Sequence, residues 1–146
     1  MEVKQIENLL AVDLIPLVKE SKEEGFRFLE RLTNEYKEGT NTFEKPGECL
    51  YGVYNRDKIL VAIGGLTIDP YTVDQKNGRL RRFYVATDYR RKGLGALLLN
   101  EIISNARRYF DVLVLHTDTE RADRFYTSLG FSKEGKYKKS THYLYL

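Results

Sequence analysis

Between residues 80 and 117 the sequence changes its period three times, and few folds satisfy all three changes. "LRRFYV" reads as a strand, and "ATDYRRKGLG" reads as a loop. A helix is predicted from Gly93 to about Arg108, because Leu94, Leu97, Leu98, Ile102 and Ala106 form one apolar stripe. "VLVLHT" then reads as a short buried strand. A strand–helix–strand crossover makes its two strands parallel. The glycine loop therefore sits at the carboxyl end of the first strand and opens the helix.

The flanking segments complete a mixed sheet. Residues 2 to 6 form a short predicted strand, and Asp13 is a plausible N-cap for "LIPLVKES", with Pro16 in the first turn. Phe26, Leu29, Leu32 and Tyr36 recur at helical spacing, so Gly25 to Lys37 reads as an amphipathic helix. "CLYGVY" and "ILVAIGGLTI" flank the polar turn Asn55–Lys58 as a β-hairpin. "ERADRFYTSLG" reads as a helix ending on Gly130, and "THYLYL" as a closing strand. The 146 residues fit one domain, residues 1–146, with helices on both faces of the sheet.

Charge is unevenly divided. Residues 79 to 108 carry eight cations against two carboxylates, and residues 1 to 48 carry eleven carboxylates against seven cations. This suggests an anionic ligand at the first region and a cationic one near the second. Cys49 is the single cysteine, which excludes an intrachain disulfide and points to a reducing, cytoplasmic setting and a buried core thiol. No apolar run is long enough for a membrane span, and the acidic start does not read as a signal peptide.

The loop itself reads as a phosphate cradle. The first N–H groups of a helix lack intrahelical partners and lie at the positive end of its dipole. Gly93 and Gly95 leave the backbone open to an anion, and Arg90, Arg91 and Lys92 add charge there. A Walker loop would need Lys-Ser/Thr after its last glycine, where Ala96 follows Gly95. A dinucleotide fingerprint would need a third glycine, where Leu98 stands.

"LRRFYVATDYRRKGLG", followed some thirty residues later by "ADRFYTSLGF", resembles the GCN5-related N-acetyltransferase (GNAT) superfamily. The family's Arg/Gln-x-x-Gly-x-Gly/Ala pyrophosphate motif is matched by Arg90-Arg91-Lys92-Gly93-Leu94-Gly95. Its A-x-x-F-Y-x-x-x-G-F pattern is matched by Ala122, Phe125, Tyr126, Gly130 and Phe131. Thr87 stands where the family often has proline. Thr119 stands where it often has an asparagine that helps hold the pantetheine arm.

The resemblance implies an α/β (α+β) fold with a mostly antiparallel sheet of about six to seven strands, flanked by helices. A splayed parallel pair forms the slot for acetyl-CoA. It implies that backbone groups of Phe83, Tyr84 and Val85 pair with the pantetheine amides as an added strand would. Val85 N–H would polarise the thioester carbonyl. Arg90, Arg91, Lys92, Gly93, Leu94, Gly95 and Ala96 would hold the pyrophosphate, with Thr119 on the pantetheine arm.

The implied reaction is direct acetyl transfer to a primary amine of a small molecule or peptide, with Tyr126 as general acid toward the departing thiolate and no metal. The general base is not legible: Glu48, Asp69 or a water chain could serve, and His116 reads as structural. The acidic N-terminal helices and "DPYTVDQKNG", beside Tyr71, are expected to wall the acceptor site and to favour a cationic amine. Sheet-forming members of the family often pair, so a homodimer is possible. Two other readings are a non-catalytic acyl-CoA sensor of the same fold and a nucleic-acid module built on the arginines and eleven tyrosines. The cations gather at one helix start rather than along a face, which disfavours nucleic acid, and neither it nor a membrane is an expected partner.

Overall fold

The computed structural model describes residues 1–146. A single sheet runs through it, built from β1 (Glu2–Gln5), β2 (Cys49–Tyr54), β3 (Leu60–Ile68), β4 (Asn77–Val85), β5 (Val112–Leu115), β6 (Ser132–Lys133) and β7 (His142–Tyr145). The spatial order is β1-β2-β3-β4-β5-β7-β6, and every neighbouring pair is antiparallel except β4–β5. The helices are α1 (Ile15–Glu23), α2 (Phe28–Glu38), α3 (Leu94–Ala106) and α4 (Glu120–Ser128). Phe83 and Tyr84 show how they are shared between the faces, since adjacent strand residues point opposite ways. The Phe83 ring meets Phe125 of α4, whereas the Tyr84 hydroxyl meets Glu20 of α1.

The central strand β3 is buried almost end to end, which explains its unbroken apolar run. Leu98, Leu99, Ile102 and Ala106 of α3 are fully buried against the sheet. Leu97, expected in that stripe, falls on its flank and stays 44% exposed, while Leu99 and Ile103 take the core positions. At the N-terminal end of α1 the carboxylate of Asp13 accepts the N–H of Ile15, but Leu14 occupies the cap position. The amphipathic segment predicted from Gly25 becomes helical only at Phe28. Its first residues form a turn in which Phe26 N–H donates back to Ser21 O.

Two irregularities shape the middle of the sheet. Gly65 pairs with Arg81 and Ile63 with Tyr84, so Arg82 and Phe83 together oppose Gly64 alone. This is a β-bulge, and Arg82 takes a left-handed φ of 58° in it. The parallel ladder is also short: β5 pairs with β4 only over Asn77–Arg79. Beyond Arg79 the two strands part.

Candidate active site

The parting of β4 from β5 opens a cleft of about 1380 Å³. That exceeds the roughly 300–1,000 Å³ of a typical small-ligand pocket and leaves room for two reactants. Backbone groups of β4 face into it. Ala86 N–H donates to Val61 O, so that pair is hydrogen-bonded, and the antiparallel alternation turns Val85 the other way. Val85 N–H therefore points to the side that β5 has left, and its carbonyl accepts Arg90 Nε at 2.9 Å. Tyr84 differs from the sequence expectation, because its pairing with Ile63 turns its backbone groups toward β3 instead.

At the far end of β4 the chain makes a 3-10 turn, Thr87–Tyr89, and enters α3. The N–H groups of Arg91, Lys92 and Gly93 meet no protein acceptor, and Leu97 is the first residue of α3 to find a carbonyl one turn back, at Gly93. A row of unpartnered donors at a positive helix end suits a diphosphate. The two glycines serve it differently. Gly93 has a φ of +79° with open space where a side chain would begin. Gly95 is ordinary in φ, but a Cβ there would lie 3.0 Å from the Phe125 ring. Arg91, Gly93, Gly95 and Ala96 line the cleft. Lys92 instead lies over the Tyr89 ring, 5.5 Å from its centre, and Leu94 is buried in the core.

Arg90 also lines the cleft. Its guanidinium grips Glu24 in a two-pronged ion pair, at 2.6 and 2.9 Å, and lies over the Tyr84 ring. Tyr84 donates its hydroxyl to Glu20 and Glu24, and Glu20 also accepts Thr87 N–H and Oγ1–H, both at 2.7 Å. This cluster braces the end of α1 against the loop that follows β4. Arg90 holds the Glu24 carboxyl below its ordinary value. Burial alone would raise Glu20, but the bonds from Thr87 and Tyr84 outweigh it and lower that carboxyl too.

A depressed carboxyl stabilises the fold above its ordinary value of 4.5 and loses that contribution as pH falls through the folded value. Melting curves from pH 7 to pH 3 should show the wild type losing stability below about pH 4.5. Glu24→Gln should melt lower at pH 7 and decline less steeply. Parallel curves for the two proteins would dismiss the brace.

Tyr126 stands on α4 with its ring packed edge-on to Phe83, Phe125 and Phe131. It is 7% exposed and lines the cleft, and its hydroxyl has no hydrogen-bond partner in the protein. Burial raises the phenol above its ordinary value, so it keeps its proton at working pH. Thr119 lines the cleft and caps α4 by accepting Ala122 N–H at 3.2 Å. One residue pair was not anticipated from sequence. His142, 1% exposed on β7, bonds Asp123 of α4 at 2.7 Å and lies beside the Tyr126 ring. The spacing of residues 123 and 142 offered no signal for it.

Both carboxylates considered as a base have other work. Asp69 is 1% exposed at its side chain and pairs with Arg79 Nε at 2.9 Å. Glu48 accepts the N–H groups of Ile68 and Lys45. Burial pushes the Cys49 thiol up to about 12, and Asn105 donates to its sulfur, so it is an inert core thiol. No cluster of His, Cys, Asp or Glu could hold a metal ion. No helix is long and apolar enough to cross a membrane.

The expected acidic acceptor wall is corrected by the structure. Four carboxylates of α1, α2 and the turn between them are turned onto cations or donors of the protein itself: Glu20 on Thr87, Glu24 on Arg90, Glu30 on Lys22 and Glu35 on Arg82; Glu23 and Glu38 are exposed and line no part of the cleft. What that wall presents to the cleft is Phe26, Arg27, Phe28 and Arg31, and Asp118 is the one carboxylate along the whole lining.

Comparison with known proteins agrees with this geometry. Residues 11–131 match the model of the acetyltransferase (GNAT) family. The fold superposes on a candidate acetyltransferase of Exiguobacterium sp. 255-15 with a TM-score of 0.88 and 30% identity, covering 99% of this chain and 92% of that one. A GNAT-family acetyltransferase of Staphylococcus aureus Mu50 superposes with a TM-score of 0.75 at 20% identity, covering 99% of both chains. Human N-acetyltransferase 8 is 28% identical over 93 residues, which are 62% of this chain and 41% of that protein. This chain thus spans well under half the length of that human relative.

Proposed function

The chain belongs to the GNAT acetyltransferase family, and from that premise we propose that it moves an acetyl group from acetyl-CoA directly to a primary amine. One observation carries the reading: unpartnered donors of three kinds face a single cleft. These are the N–H groups at the start of α3, Val85 N–H on β4 and the Tyr126 hydroxyl on α4. When bound, acetyl-CoA supplies an activated acetyl thioester.

Each donor then has one task. The α3 start and Arg91 hold the diphosphate, with Gly93 allowing the backbone its turn. Val85 N–H donates to the carbonyl oxygen under attack, where negative charge builds. Tyr126 donates toward the sulfur as the C–S bond breaks, easing departure of a thiol whose free pKa is about 8.5. Arg90 acts at one remove, by fixing Val85 O and α1.

Calorimetric titration with acetyl-CoA, followed by thiol detection over an amine panel, tests the reading. Wild type should bind and release CoA only when an amine is present. Gly93→Val, forced into a left-handed backbone that a branched residue resists, should lose at least about tenfold in affinity. Binding without acceptor-dependent release would favour the sensor alternative, and no binding would remove both.

A further inference from the structure

The acceptor side of the cleft carries a charge that transfer chemistry alone does not explain. Nine arginine or lysine residues line the cleft against the single carboxylate of Asp118. Several are neutralised by the protein: Arg79 by Asp69, Arg82 by Glu35, Arg90 by Glu24. Arg81 is different. It lies on β4 just before the bulge, half-buried, and its guanidinium makes no hydrogen bond or ion pair. Its pairing opposite Gly65 sets it on the same face as Arg79, the face that α1 and α2 cover.

Arginine stays charged at any working pH. A half-buried guanidinium without a counter-ion is costly, and burial together with the neighbouring Arg82 disfavours its charge. Glu35 offsets part of this from a distance, but its carboxylate is committed to Arg82, and the other neighbours add cations. Lys139 Nζ lies 4.8 Å from the centre of the Tyr71 ring, which Arg79 also faces, and Arg31 has no carboxylate partner. Among these charges stand the Phe26 and Phe28 rings, 5.6 Å apart.

The geometry points to an acceptor amine that also carries a carboxylate, held by Arg81, with an apolar body against Phe26, Phe28 and Tyr71. The class is that of α-amino acids with large apolar side chains, and of amines of similar build. This rests on the transferase reading above, which supplies the amine. A carboxylate matches the planar fork of a guanidinium in two parallel hydrogen bonds. The same cations, Arg81, Arg31 and Lys139, disfavour the ammonium form of the acceptor. They therefore assist the proton loss that must precede attack, in a site where no carboxylate base lines the acceptor wall. A polyamine would meet repulsion there.

The test uses product-like ligands, so that binding is read without turnover. N-acetylphenylalanine and N-acetylphenethylamine, which differ by one carboxylate, are titrated into protein with and without CoA. Wild type should hold the first at least about tenfold more tightly. Arg81→Gln should erase that difference, Arg81→Lys should keep part of it, and Arg107→Gln, an exposed cation at the end of α3, should keep all of it. Circular dichroism of each variant separates lost recognition from lost folding. Equal binding of the two ligands by wild type, or tighter binding of spermidine than of either, would overturn the proposal. A protein that discriminates the carboxylate yet binds no CoA would overturn the transferase reading, and with it the acceptor role, and leave only a carboxylate site at Arg81.

Discussion

Tyr126→Phe should lower kcat by about a hundredfold, within the range for loss of a positioned proton donor. The prediction is sharp because the substitution removes one oxygen and little else. The ring keeps its edge-on contacts with Phe83, Phe125 and Phe131, and no protein hydrogen bond is lost, since the hydroxyl makes none. Melting temperature should consequently stay within a few degrees of wild type, and the affinity for acetyl-CoA should hardly change. A loss confined to kcat identifies a group that acts in the transition state. If kcat falls less than about threefold, the phenol is a packing aromatic and another donor, or water, serves the departing thiolate.

Asp69→Ala should cost about 3–5 kcal/mol of stability, the usual result of stripping one partner from a buried ion pair. For a domain of this size that corresponds to a fall in Tm on the order of 10 °C. Asp69 and Arg79 have side chains 1% and 5% exposed, so neither charge is rescued by water. Arg79 does retain two carbonyl partners, Lys138 O and Lys139 O, each at 2.9 Å. Those bonds tie the β6–β7 loop to the point where the β4–β5 ladder ends, so loss of the carboxylate should loosen the cleft as well as the fold. Asp69→Asn, which preserves an acceptor for Arg79 Nε, should lose less. A loss below about 1 kcal/mol for Asp69→Ala would mean that the two carbonyls suffice to hold the charge.

Much of this architecture was legible because its signals are local. The crossover between residues 80 and 117 follows from period changes that neighbouring residues impose, and the glycine pair marks where the helix must start. What could not be read depends on partners distant in sequence. Arg90, Arg91 and Lys92 look alike in the chain, yet Arg90 turns to Glu24, sixty-six residues away, and Lys92 turns to a neighbouring ring. The number of carboxylates in the N-terminal helices is legible in the sequence, and the direction that most of them take is not. A carboxylate's reach is decided by whichever cation packing brings to it, here Arg82, Arg90 and Lys22. The bulge is hidden for a related reason, since two residues facing one is a property of the pairing and not of either strand.

The brace at Glu24 joins two parts of the cleft. Glu24 immediately precedes the Gly25–Phe26 turn that walls the acceptor side, and its carboxylate grips Arg90, which leads into the diphosphate loop. Glu20 reinforces the connection through Thr87, so two carboxylates at one end of α1 hold the turn and the loop together. Where two ligands each bias such a connection, the linkage between them is reciprocal: the factor by which the first alters affinity for the second is the factor by which the second alters affinity for the first. On the proposed transfer reaction, this connection gives cooperativity between the two reactants a physical route within one subunit.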